Sequence, residues 1–351
     1  MSLILYCLAL ITSFYLLAEV SDRYFVVSLD KIAERLKMSH EMAGATLMAI
    51  GSSAPELFVA IISLIRSGDH AAIGVGTIVG SALFNILVII GASAIVRNAK
   101  LMWQPVVRDF VFYALSVAAL FVVLGDGLVT WVESLLLIIF YGGYLLTVMN
   151  WKRLFNFEDG DLIDEGYENP TLKGWKRIFI PLRYALRKMF PHPKHYILTF
   201  IFSIVAIAFL CWVLVESAIG ISMIMKIPEV VIALTVLAIG TSIPDMVSSV
   251  IVARQGRGGM AVSNAVGSNI FDILIGLGFP WLIISIVKNE PILTNAASLN
   301  ESVILLFASV ALIFLTFVIY KWRVNKKLGY ILIFIYVAYL AREIIGLYYP
   351  I

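Results

Sequence analysis

Charge is scarce in this chain: 14% of its 351 residues are Asp, Glu, Lys or Arg, against about 25% in a soluble domain. Hydrophobic residues make up 61% and the mean hydropathy is +0.96, which excludes an ordinary soluble enzyme and a disordered chain. Cysteine is nearly missing. Cys7 and Cys211 both lie in apolar runs, so neither a disulfide framework nor a cysteine-based metal cluster follows. The net charge of +3 is too small and dispersed to suggest nucleic acid. No segment alternates polar and apolar over about ten residues, which removes a membrane β-barrel. The first apolar segment has no basic stretch before it and no small-residue cleavage site after it, so it is expected to remain as a helix.

Long apolar runs are what the chain does have. They lie at 3–20, 41–65, 71–96, 105–124, 128–150, 196–217, 228–253, 259–287, 302–320 and 328–349. Spanning helices need about 20 apolar residues, and lipid offers no partner to an unpaired backbone group. The expected fold is therefore an all-α polytopic membrane protein with ten transmembrane helices. Placing the N-terminus outside puts every basic residue except Arg66, Lys226, Lys288 and Arg342 in cytoplasmic loops. Both termini then face outside, and the 151–195 loop is cytoplasmic. A plasma or inner membrane fits better than an organelle. The loop is acidic from Glu158 to Glu168, then basic and aromatic from Lys173 to Lys194. It reads as a solvated linker, because its acids miss the EF-hand spacing. Residues 175–187 could form an interfacial helix despite Pro181. Ser298 and Glu301 fit a capping box.

The sequence also repeats itself. Ala49-Ile50-Gly51-Ser52-Ser53-Ala54-Pro55-Glu56 returns as Ala238-Ile239-Gly240-Thr241-Ser242-Ile243-Pro244-Asp245. Val79-Gly80-Ser81-Ala82-Leu83-Phe84-Asn85 returns as Val266-Gly267-Ser268-Asn269-Ile270-Phe271-Asp272. Five spans separate the copies, an odd number, so they lie in the membrane with opposite orientation. The expected organisation is two inverted five-helix repeats, 1–150 (first motif 41–96) and 196–351 (second motif 228–287). Inverted repeats interrupted by Gly and Pro point to a transporter with its site between the copies.

Glu56, Asp245 and Asp272 fall inside apolar spans, where an ionised side chain costs about 2.5–3.5 kcal/mol. No Lys or Arg shares these stretches, so a mobile cation is the natural counter-charge. Ser52 and Ser53 precede Glu56 by four and three residues, which places them on its helix face. Thr241 and Ser242 stand likewise to Asp245. Ser81 with Asn85, and Ser268 with Asp272, are further pairs four apart. Pro55 and Pro244 lack an N–H and free the carbonyls of Gly51 and Gly240. The set is all oxygen, as hard cations require; with no His or Cys in the motifs, zinc and copper are disfavoured. The glycines Gly74, Gly76, Gly80, Gly267, Gly276 and Gly278 are assigned to close helix packing.

On these motifs the chain resembles the cation/calcium exchanger superfamily, and over 228–281 it looks like the potassium-dependent sodium/calcium exchangers. The resemblance implies that Glu56 and Asp245 are central calcium ligands. Ser52, Ser53, Ser81, Asn85, Thr241, Ser242 and Ser268 would complete the calcium and sodium positions, and the carbonyls of Ala49 and Ala238 would add sodium ligands. It further implies that an Asp at position 272 marks potassium dependence, where potassium-independent relatives carry Asn. Charge arithmetic agrees: three carboxylates balance one calcium plus one potassium. The expected partners are these cations and the bilayer, with no cofactor and no enzymatic activity. The rivals are a potassium-independent exchanger, a calcium/proton exchanger of the same fold, a passive channel and an intramembrane aspartyl protease. The protease needs a Tyr-Asp pair that the sequence lacks.

Overall fold

The computed structural model describes residues 2–35, 49–66, 70–155, 188–191, 195–294 and 296–348. The 41–48 part of the first motif and nearly all of the central loop, with its candidate interfacial helix, lie outside them. Seven of the described helices are long and apolar enough to cross a bilayer: Leu3–Phe25, Ala71–Val96, Trp103–Val123, Trp131–Trp151, Tyr196–Met225, Gly258–Lys288 and Lys326–Gly346. A further pair, Glu229–Thr241 followed by Ile243–Arg254, is apolar enough when taken together but bends by 43° at its break, the geometry of a broken span or a re-entrant loop. Ala54–Ile65 and Val303–Ile319 are shorter apolar helices.

Burial separates central helices from peripheral ones. In Ala71–Val96, 94% of the apolar window is buried, against 22% in Trp131–Trp151 and in Leu3–Phe25. Peripheral helices turn large apolar side chains outward, among them Val122, Ile139, Val205 and Phe334, which a lipid solvent favours. Two apolar cores flank the centre. One joins Leu17, Val59, Leu214 and Leu237; the other joins Ile86, Phe110, Ile273, Trp281 and Phe317. Leu3–Val20 packs along Tyr196–Met225, where Tyr6 lies against Gly220, while Phe14 lies against Gly240.

The backbone breaks in the same way in the repeated segments 49–56 and 238–245. Ser53 (φ −92°, ψ 6°) and Ser242 (φ −85°, ψ 4°) leave helical geometry, and a new helix opens with Pro55 or Pro244 in its first turn. Proline is tolerated there because first-turn N–H groups have no intrahelical acceptor. The helices that carry Val79–Asn85 and Val266–Asp272 each pass into a π-helical turn, Asn85–Ile89 and Asp272–Leu277. A third such turn, Ala233–Leu237, leads into Ala238.

Several details differ from the sequence reading. The first helix does not stop at Val20 but runs through a π-helical turn to Arg35. The Tyr196 helix extends to Met225. Ser298 is not an N-cap, since the helix already begins at Ala296; a reciprocal cap forms instead at Thr130 and Glu133. Two loop pairs make short antiparallel ladders, Ala99–Lys100 with Arg323–Val324 and Leu128–Val129 with Ile292–Leu293. Gly80 crosses the Glu229–Thr241 helix so closely that a Cβ there would collide with the Leu234 carbonyl and stand 2.7 Å from the Ala238 Cβ. Its counterpart Gly267 meets only the Tyr144 hydroxyl, at 3.7 Å, so close packing does not account for that glycine.

Candidate functional site

The breaks and the π-helical turns bring one set of side chains together. Ser53, Glu56, Ser81, Asn85, Thr241, Ser242, Asp245, Ser268 and Asp272 are fully buried, and Ser52 is 7% exposed. Ser81 Oγ and Ser242 Oγ share a hydrogen bond of 2.6 Å, and the two hydroxyls reach Glu56 Oε1 at 3.4 and 3.2 Å. Around Asp245 the pattern recurs. Ser268 donates to its Oδ2 at 2.8 Å and shares a 2.6 Å hydrogen bond with Ser53. Asn85 Nδ2 reaches the same Oδ2 at 3.4 Å. Glu56 thus accepts from one hydroxyl of each copy of the repeat, and Asp245 from a hydroxyl of its own copy and an amide of the other.

What remains unpaired defines the chemistry. Glu56 Oε2, Asp245 Oδ1, Asn85 Oδ1 and both oxygens of Asp272 are buried with no hydrogen-bond partner. All five are acceptors, and burying such atoms unpaired is costly, especially on carboxylates. Glu56 lies within electrostatic reach of both Asp245 and Asp272, so like charges also crowd here. A cation answers both deficits. Among the described residues, no three His, Cys, Asp or Glu side chains are close enough to hold one ion. An ion here would thus take one or two carboxylates and complete its shell with hydroxyl and carbonyl oxygens.

The backbone candidates are less uniform. Pro55 frees the Gly51 carbonyl, which accepts from the Ser21 hydroxyl at 3.4 Å. The Ala238 carbonyl accepts from the Ser242 N–H at 3.3 Å and the Thr241 hydroxyl at 3.5 Å. Thr241 also donates to the Leu237 carbonyl at 3.1 Å. Ala49 opens the described part of its helix.

Asn269 escaped the sequence reading. It is fully buried, accepts from Asn85 Nδ2 at 2.9 Å and donates to the Ala82 carbonyl at 3.1 Å. The signal was there, because Asn269 stands where the first copy has Ala82. Outside this cluster, Glu19 forms an ion pair with Arg23, and Glu216 with Arg66 at 2.6 Å. His70 and Glu229, at the starts of two central helices, meet at 2.8 Å.

With the geometry in place, the comparison with known proteins is decisive: the family model described as sodium/calcium exchanger protein matches residues 6–150 and 195–344. The chain belongs to that family. It is 30% identical to mouse sodium/potassium/calcium exchanger 4, with 98% of this chain and 81% of the relative aligned. To human sodium/potassium/calcium exchanger 5 it is 32% identical, with 95% and 81% aligned. Among solved structures, the sodium-calcium exchanger NCX_Mj, soaked with 2.5 mM Na+ and 1 mM Sr2+, superposes with a TM-score of 0.60 at 25% identity, covering 97% and 99% of the two chains. The H+/Ca2+ exchanger CAX superposes with a TM-score of 0.71 at 13% identity, covering 96% and 82%. Membership makes the protein an integral, multi-pass membrane exchanger.

Proposed function

We propose that this chain is a sodium/calcium antiporter that carries potassium with calcium, working by alternating access. The observation that carries the reading is the group of five unpartnered acceptor oxygens on Glu56, Asp245, Asp272 and Asn85. Two carboxylates with paired hydroxyls suit calcium, which takes six to eight oxygens at about 2.3–2.6 Å. Sodium competes for the same oxygens, and that competition couples the two fluxes. The third carboxylate, Asp272, supplies the extra charge for potassium. The sodium/potassium/calcium exchangers among the relatives support this assignment.

The proposed architecture is ten spans in two inverted repeats, 1–150 and 196–351, joined by a cytoplasmic 151–195 segment with both termini outside. The loop ladders support it: they join 99–100 to 323–324 and 128–129 to 292–293, pairs that this topology puts on common sides of the membrane. Glu56, Asp245, Ser52, Ser53, Ser81, Ser242, Ser268, Thr241 and Asn85 are the proposed calcium and sodium ligands, with the carbonyls of Ala49 and Ala238 completing the sodium positions. The two peripheral helices Leu3–Val20 and Tyr196–Met225 would move against the remainder and expose the site to each side in turn. Transport, rather than covalent catalysis, is the proposed activity.

The test is calcium uptake into sodium-loaded proteoliposomes, with and without external potassium. Uptake that requires both the sodium gradient and potassium is expected. Uptake needing sodium alone would leave the antiporter but remove potassium from it. Uptake driven by a pH gradient in sodium-free medium would favour the proton-coupled rival.

A further inference from the structure

Asp272 is flanked by two tyrosines that neither the motifs nor the family assignment places in the site. Tyr113 comes from the Trp103–Val123 helix and is fully buried; Tyr141 comes from Trp131–Phe155 and is 6% exposed. Neither hydroxyl has a hydrogen-bond partner. Both lie within electrostatic reach of Asp272, and Tyr113 stands beside Asn269 without a well-formed hydrogen bond to it. The helices that carry the two orphaned phenols both pack against the Asp272–Leu277 turn, whose carboxylate has two orphaned oxygens of its own. A buried hydroxyl is normally paired, so three such groups converging from three helices call for a shared partner.

The other copy of the repeat supplies an internal comparison. Tyr141 packs edge-on against Phe271 at 5.6 Å and 76°, and Tyr336 packs edge-on against Phe84 at 5.5 Å and 74°. Tyr141 and Tyr144 lie 6.0 Å apart at 44°, Tyr336 and Tyr339 6.0 Å apart at 46°. Tyr336 is thus the counterpart of Tyr141, packed on the residue before Asn85 rather than the residue before Asp272, and its buried hydroxyl is likewise unpartnered. Tyr113 has no such counterpart. Aligning Ser116-Val117-Ala118 with Ser309-Val310-Ala311 puts Leu306, fully buried, in its place. The additional hydroxyl occurs on the side that has the additional charge.

We infer that Tyr113 and Tyr141 are specificity-determining residues of the Asp272 position, presenting their phenolic oxygens to a large monovalent cation held there. The inference rests on reading Asp272 as the potassium position. One carboxylate surrounded by neutral oxygens gives a site of low charge, which suits a monovalent ion better than calcium. The phenols are stiff: each ring has two side-chain torsions, and that of Tyr141 is wedged against Phe271. Their oxygens therefore hold a fixed spacing that does not shrink around a smaller ion, one of the recognised routes to selecting potassium over sodium.

The experiment measures sodium-driven calcium uptake in proteoliposomes for the wild type, Tyr113→Phe, Tyr141→Phe and, as the control, Tyr336→Phe. External potassium is varied at fixed calcium, and calcium at fixed potassium. Tyr113→Phe and Tyr141→Phe should each raise half-saturating potassium about two- to tenfold, the weight of one polar contact. Half-saturating calcium should stay unchanged, and Tyr336→Phe should change neither. The rise in melting temperature that potassium chloride gives the purified wild type should shrink in parallel. Should one variant fail to fold, the other decides. Unchanged potassium dependence in the folded variants, or equal shifts for potassium and calcium, would overturn the inference. A wild type indifferent to potassium would remove the Asp272 reading and this one with it, and that result is visible before any variant is made.

Discussion

Ser81 and Ser242 meet hydroxyl to hydroxyl at 2.6 Å, one from each copy of the repeat, and both lie against the same oxygen of Glu56. Neither copy alone can build this corner. The two hydroxyls should therefore act as a unit. Ser81→Ala and Ser242→Ala are each expected to raise half-saturating calcium about two- to tenfold. The double variant should lose less than the product of the single effects, because the second deletion removes a contact already broken. Calcium titrations of uptake on the four proteins of the cycle check this; multiplicative losses would deny the coupling.

Glu56→Gln and Asp245→Asn keep side-chain volume and remove one charge each. Both should cut sodium-driven calcium uptake at least about tenfold, a change of about 1.4 kcal/mol. Neither should lower the melting temperature, since removing an uncompensated buried charge relieves desolvation. Rates and melts on the same preparations separate loss of the ion from loss of the fold.

Asp272→Asn should spare calcium flux and abolish its potassium dependence. The neutral amide leaves two carboxylates, and their charge balances calcium alone. Uptake measured with and without potassium decides. A variant as dependent as the wild type would exclude Asp272 from the potassium position.

Gly80→Ala and Gly267→Ala should part company. The first forces a methyl group into the Leu234 carbonyl and is expected to cost about 1–3 kcal/mol by overpacking. The second meets only ordinary contact at 3.7 Å and should leave the melting temperature close to that of the wild type.

Much of the site was legible because membrane helices leave few reasons for polarity. Glu56, Asp245 and Asp272 stood out against apolar spans, and the repeat said which residues must converge. Asn269 was missed for a complementary reason: it has no polar counterpart, and attention to matched positions passes over the unmatched one. Tyr113 and Tyr141 were hidden by their apolar rings, which belong in any spanning helix. The helix extension to Arg35 rests on a π-helical turn at Ser21–Phe25, which no hydropathy pattern marks. The cap at Thr130 and Glu133 was as visible as the misplaced one at Ser298. The difference lies in where the helix starts, a boundary that helix-forming residues such as Ala296 and Ala297 shift upstream.

The two short ladders also bear on how the molecule is made. Leu128–Val129 pairs with Ile292–Leu293, and Ala99–Lys100 with Arg323–Val324. Strands in the first half of the chain thus find their partners only after the second half has been synthesised. Until then these loop segments have none of their ladder hydrogen bonds, and the helices they connect are not yet fastened at either rim. Removing Arg323–Val324 therefore takes the partner from Ala99–Lys100, more than two hundred positions earlier in the chain.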